Sequence, residues 1–198
     1  VVTTAMVVGR WARGEKEDRS PPVPSRAGGG LREEHRDLFP ASRSDFPGTT
    51  PEVEVVVTRH EDVVASAMLW DPVSVRQTVV RGYEGSLARW RRPINLALRS
   101  VGAQPLPEIG QPLRSAFLAH PRATDDRAHD ALLAQALTEA RLAGRAFVLV
   151  GYDAADPYLR LARRRLHVPY RSTLFAATWP DGAPPSLRHP LHAEIATF

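Results

Sequence analysis

A chain of 198 residues without a cysteine can form one ordinary domain with a tail to spare, but no disulfide framework, thiolate zinc site or cysteine nucleophile. A domain of about 150 residues buries roughly 70% of the surface its unfolded chain exposes, so no staple is needed. The net charge of +4 rests on arginine, with Lys16 the only lysine, and the arginines are interleaved with acids along the chain. Arginine-for-lysine usage beside abundant Ala, Pro and Val is the pattern of GC-rich coding, so nucleic acid is not the expected partner. Apolar runs such as Ala146–Val150 fall far short of the ~20 residues a membrane helix requires, and no membrane partner is expected. Residues 1–8 begin apolar, but no basic segment precedes them and no A-x-A-like site follows, which argues against a signal peptide. A cytoplasmic location fits.

The first fifty residues differ from the rest. Ser20–Ser25 and Gly28–Gly30 have linker composition, and Glu15–Arg19 is a mixed charge run without apolar periodicity. Such a stretch buries too little apolar surface to offset its ordering entropy. Residues 1–50 are therefore read as largely disordered or loosely attached, with a short helix at Leu31–Leu38 ended by Pro40. Residues 51–198 make the domain.

From Val53 the pattern tightens. Val53, Val55 and Val57 alternate with their neighbours, Val63–Leu69 is a second β-rich run, and Arg59–Asp62 between them signals a hairpin. Asp71-Pro72 breaks the strand. A helical insert at about 72–112 follows. Its helix is expected in two pieces over 72–100, divided by Gly82 and Gly85, and a loop is expected over 101–112.

The clearest unit comes next: a strand at Leu113–Ala119, a helix at Asp126–Ala143 and a strand at Ala146–Val150. Leu132, Leu133, Ala136, Leu137 and Ala140 recur at spacings of three and four, on one helix face. Thr124 or Asp125 can cap the helix and Gly144 can stop it. The unbroken apolar run of the second strand suits burial on both faces, and the short joints imply a right-handed parallel crossover. A short helix (Pro157–Arg165) and strands at Ser172–Thr178 and His192–Thr197 complete the order. The fold class expected is α/β (α+β), one mixed central sheet flanked by helices.

That order resembles the core of the GNAT N-acyltransferases. Within that superfamily the sequence resembles the C-terminal domain of bacterial proteins built of two GNAT domains in tandem. The residues that carry the resemblance are Trp70-Asp71, Gln77–Tyr83, Leu106-Pro107 with Gly110–Arg114, Val150-Gly151, Tyr170–Phe175 and Glu194-Ile195-Ala196. They fall in the same order over about residues 53–198. The resemblance implies acetyl-CoA or another acyl-CoA as cofactor. It also implies a partner: the missing N-terminal GNAT domain, or a second copy of this chain.

An enzyme of that kind seats its cofactor's pyrophosphate on the amides that open the helix after the fourth strand, where the helix dipole favours an anion. The family's loop there is Arg/Gln-x-x-Gly-x-Gly/Ala, because glycine lets backbone close around phosphate oxygens. Here the corresponding loop runs from Thr124 to His129, and the glycine places fall on Asp125, Arg127 and His129. Asp125 and Asp126 are like in charge to the ligand and read as helix caps. The resemblance leaves Leu118, Arg122, Arg127 and His129 as cofactor-binding candidates.

The catalytic candidates are His120 at the end of the fourth strand, and Tyr158 and Tyr170 on either side of the position near Arg163 where the family's tyrosine falls. His60, His167, His189 and His192 lack metal-ligand spacing, and no metal is expected. Three functions follow. The first is transfer of an acyl group from acyl-CoA to an amine. The second is a catalytically inactive GNAT-like structural or interaction module. The third is an arginine-rich nucleic-acid-binding protein, with Trp90 between Arg89 and Arg91 available for stacking.

Overall fold

The computed structural model describes residues 2–7, 53–74, 77–171 and 173. Strands β2 (Val53–Arg59) and β3 (Asp62–Trp70) form the expected hairpin, turned by His60 and Glu61 alone. Both turn residues have positive φ, 51° and 73°, the backbone that a two-residue turn needs to match the twist of its strands. The hairpin's β3 pairs antiparallel with β4 (Ser115–Ala123), and β4 pairs parallel with β5 (Phe147–Tyr152). Helix α2 (Asp126–Leu142) makes the crossover between them. It stops where Gly144 adopts φ 67°, with Gly144 N–H donating to Arg141 O (3.0 Å) and Arg145 N–H to Ala140 O (2.8 Å). Those two bonds satisfy carbonyls that the helix end would otherwise leave open.

Two further strands extend the sheet. Strand β1 (Val2–Val7) lies between β5 and β6 (His167–Arg171), antiparallel to both. The order across the six-stranded sheet is β2-β3-β4-β5-β1-β6. The architecture is thus a mixed α+β domain around one mixed sheet.

Alternation along the strands divides the core into two layers. On one side α2 buries Leu132, Leu133, Ala136, Leu137 and Ala140, the five positions its period picks out. The short helix α3 (Leu159–Arg163) adds Leu159, Leu161 and Ala162 to that layer. On the other side α1 (Gly85–Ser100) buries Leu98 against Ala103, Ala146 and Phe147. Beside it Trp70 packs on Phe117, ring centroids 5.8 Å apart, with Met68 and Ala119.

Two expectations need correction, and three others fall wholly or mostly outside the described residues. Among the described residues, 77–84 are not helical, and 72–74 form only a 3-10 turn, Pro72–Ser74. Instead the stretch at Thr78–Val80 runs beside 110–113, with Val80 N–H donating to Gln111 O (3.1 Å), Gly110 N–H to Val80 O (2.8 Å) and Leu113 N–H to Thr78 O (2.7 Å). Cross-chain pairing satisfies these backbone groups, so the β-branched valines need no helix. Val2–Val7, grouped from composition with a loose N-terminal segment, is a strand inside the sheet. Composition reports on a segment's own burial capacity and not on a slot prepared elsewhere. The helix expected at Leu31–Leu38 and the strand at His192–Thr197 lie outside the described residues, as does all of Ser172–Thr178 except Thr173; the strand after α3 is β6, five residues long.

Met6 shows no exposed surface and belongs to the α2-side core. Met6→Ala should therefore lower the unfolding free energy by about 2–5 kcal/mol, the range for truncating a buried methionine. Urea denaturation measures it, and a midpoint unchanged from the parent would remove β1 from the core.

Candidate functional site

The site to be tested lies where β4 and β5 part. Their parallel pairing runs only through Ser115, Ala116 and Phe117 against Phe147, Val148 and Leu149. Beyond it β4 stays with β3, and β5 stays with β1 through Val150, Gly151 and Tyr152. Each strand follows its outer neighbour, which opens a notch between them. A bulge on β4 contributes: Met68 faces Ala119 and Ser66 faces Arg122, so His120 and Pro121 together oppose Ala67. Such a bulge bends its strand, and it is one of the few places a sheet tolerates proline. His120 carries φ 49°, a conformation that crowds any residue with a Cβ.

Helix α2 begins just past the end of β4, and its first turn is occupied by the protein itself. The Asp125 carboxylate accepts from Ala128 N–H at 2.7 Å while its own carbonyl accepts from His129 N–H at 3.0 Å. Arg59, the last residue of β2, donates to the same carboxylate at 3.1 Å. The Ala128 amide, and then the Arg59 guanidinium, hold the Asp125 carboxyl below the ordinary carboxylate range. Asp126 is ion-paired with Arg160. Two carboxylates thus stand at the positive end of the dipole, each with its own arginine.

Under the notch, on the α2 side, sits a polar trio of two buried residues and a half-buried one. His129 is 1% exposed, and its Nε2 lies 2.9 Å from the hydroxyl of Tyr152, also buried. The Tyr158 ring stacks on the imidazole with centroids 4.2 Å apart and planes 9° from parallel. Burial, reinforced by the nearby Asp156 charge, pushes the Tyr152 phenol up, so it stays a neutral hydroxyl. These contacts tie the first turn of α2 to the end of β5 and the start of α3.

The candidates from sequence are placed as follows. His129 faces inward to Tyr152 and away from the helix mouth, so it is a core residue and not a phosphate contact. Tyr158 is committed to His129, with its hydroxyl directed to Ala123 O at 3.5 Å. Leu118, the first β4 residue beyond the β5 pairing, has its side chain in the core. Arg122 and Arg127 are exposed near the α2 start, and His120 is half-buried in the bulge. Tyr170 is on β6, three strand spacings from β4, or about 14 Å. The structure joins only His129 and Tyr158. Sequence reasoning missed Tyr152 as their partner and Arg59 and Arg160 as counter-ions. His129 itself was legible, since it stands three and four residues before Leu132 and Leu133, on the same inward face. Among the described residues no cluster of side chains could hold a metal ion.

No family model matches the chain, and neither a curated protein nor a solved structure is detectably similar to it.

Asp125 links stability to pH. Its folded pKa is depressed, so its contribution is present above the unfolded value of about 3.9 and is lost as pH falls through the lower folded value. At neutral pH Asp125→Ala should cost about 0.5–2 kcal/mol, mostly as a lost cap, because an ion pair this exposed adds little. Asp125→Asn, which still caps, should retain most of it. In melting curves against pH the gap between parent and Asp125→Ala should close on acidification; a gap constant with pH refutes the assignment.

Proposed function

We propose that this chain is a GNAT-like domain that serves as a non-catalytic structural and interaction module. Kinship with the acyltransferases is supported by the parallel β4–β5 pair that parts after Phe117 and Leu149, with a helix starting at the end of β4. The observation that carries the non-catalytic reading is the Asp125 carboxylate on the Ala128 amide, held there by Arg59. A pyrophosphate needs those amides and that positive dipole end, and here Asp125 takes the Ala128 amide while Asp125 and Asp126 set two carboxylates at the dipole. Displacing Asp125 would leave two carboxylates beside an anionic ligand, which opposes binding. Of the tyrosines beside the α2 start, Tyr152 is buried against His129 and Tyr158 is stacked over the same ring, so neither is presented to a leaving thiolate.

The second reading is N-acyl transfer from acetyl-CoA or another acyl-CoA to an amine. Its support is the notch together with Arg122 and Arg127, exposed beside the α2 start where side chains could take the place of a glycine loop. Thermal melting with acetyl-CoA separates the two. A ligand at 100-fold its dissociation constant adds about 2.7 kcal/mol of stability, which raises the midpoint of a chain this size by several degrees. The module reading expects no saturable rise at millimolar acetyl-CoA. A saturable rise, abolished by Arg127→Glu, would overturn it in favour of the transferase.

A further inference from the structure

The insert between β3 and β4 carries an uneven share of exposed apolar surface. Val79, Leu87, Trp90, Leu96, Val101 and Ile109 all lie within residues 77–112, against Val53, Val73, Leu142, Leu166 and Val168 over the remaining described residues. Trp90 is 58% exposed, Leu96 71% and Ile109 63%. Scattered exposed aliphatics are ordinary, but an indole and leucines gathered on one helix mark an interaction surface. The same stretch holds Arg81, Arg89, Arg91, Arg92 and Arg99 against Glu84 and Glu108. Five minus two is a surplus of three positive charges, out of the chain's net +4.

Helix geometry sorts these residues. At 3.6 residues per turn, Arg91, Ile94, Asn95 and Leu98 form the inward face of α1, and none of them is fully exposed. Arg91 donates to Pro107 O (2.9 Å) and lies over the Tyr83 ring, while Asn95 pairs with the backbone of Leu106. The outward face carries Trp90, Pro93, Leu96 and Ala97 as a ridge, with Arg89 on it and Arg92 and Arg99 along its rim, all exposed. Helix α1 itself contains no acidic residue.

We propose that α1 docks the domain on the surface of an anionic phospholipid bilayer, lying in the interface with Trp90 and Leu96 inward and the arginines on the headgroups. An acid-free helix with Trp90 and Leu96 on its outward face, rimmed by arginine, matches the interface chemically. Indole prefers the headgroup level, and arginine stems cover apolar surface while their heads meet phosphate. A second copy would set these arginines against themselves. A nucleic acid would satisfy the arginines and leave Leu96, Val101 and Ile109 in water. No described helix is long and apolar enough to cross a membrane, so α1 lies on the surface. This inference goes beyond the reading of the α2 end and does not depend on it.

Flotation of the full chain with phosphatidylglycerol-containing vesicles and with pure phosphatidylcholine vesicles tests it. The chain should partition onto the anionic vesicles, less so as salt is raised, and only weakly onto the neutral ones. Arg92→Gln and Arg99→Gln should each weaken partition about five-fold, the equivalent of ~1 kcal/mol per basic residue at the surface. Trp90→Ser with Leu96→Ser should abolish it without changing the melting temperature; should that double variant unfold, the exposed arginine variants decide. Equal partition onto neutral vesicles, or none onto either, overturns the proposal. So does a dimer in sedimentation, or salt-dependent oligonucleotide binding, that the Trp90 and Leu96 substitutions eliminate.

Discussion

Burial of one face of α2 against the strands it joins is the constraint on which the rest of the molecule depends. Leu132, Leu133 and Leu137 are each at most 2% exposed, and Ala136 and Ala140 let the helix approach the sheet closely. Fully burying a leucine contributes about 1.5–3 kcal/mol, so these three side chains alone rival the net stability of a small domain. A helix of this length has little stability in isolation. Docked by that face, it fixes β4 and β5 as parallel neighbours, because antiparallel partners would not need a crossover between them.

The same docking decides what the notch contains. The joint from β4 to α2 is two residues, Thr124 and Asp125, so the first turn of the helix lies beside the point where the strands separate. Its amides need partners, and the dipole there favours negative charge. Asp125 answers both needs from within the chain, and Arg59 offsets its charge. Inside, Tyr152 at the end of β5 meets His129, so the floor of the notch is a hydrogen-bonded core contact. A polar pair in that position is tolerated because each group has the other; removing either would leave a buried polar atom wanting.

How much of this the sequence discloses follows from how local each interaction is. The face of α2, its cap at Asp125 and its stop at Gly144 are set within a few residues and are legible. So is the β2–β3 hairpin, apart from its two-residue turn, which uses His60 and Glu61 where Asn-Gly would have announced it. What was illegible depends on distant partners. Val2–Val7 is a strand because β5 and β6 leave it a place. Thr78–Val80 is extended because 110–113 folds back on it. The site was legible as a helix start carrying two aspartates, Asp125 and Asp126. The arginines that complete it come from 66 residues earlier and 34 later, and no spacing rule reaches that far.

The placement of arginine also gives the composition a physical meaning. On the α2 side of the sheet arginines meet aspartates: Arg59 with Asp125, Arg160 with Asp126, and Arg165 with both the carboxylate (2.6 Å) and the carbonyl (2.7 Å) of Asp130. Arg145, just past the end of α2, pairs with Asp71 at the end of β3. In each pair a charge beside the core is kept near its counter-ion. The insert follows a different rule. Its helix has arginines and no acid, and its outward ridge is apolar where the α2 side is ionic. The α2 side of the domain therefore carries arginines paired with aspartates, whereas α1 on the other side sets arginines beside exposed apolar side chains with no acid on the helix.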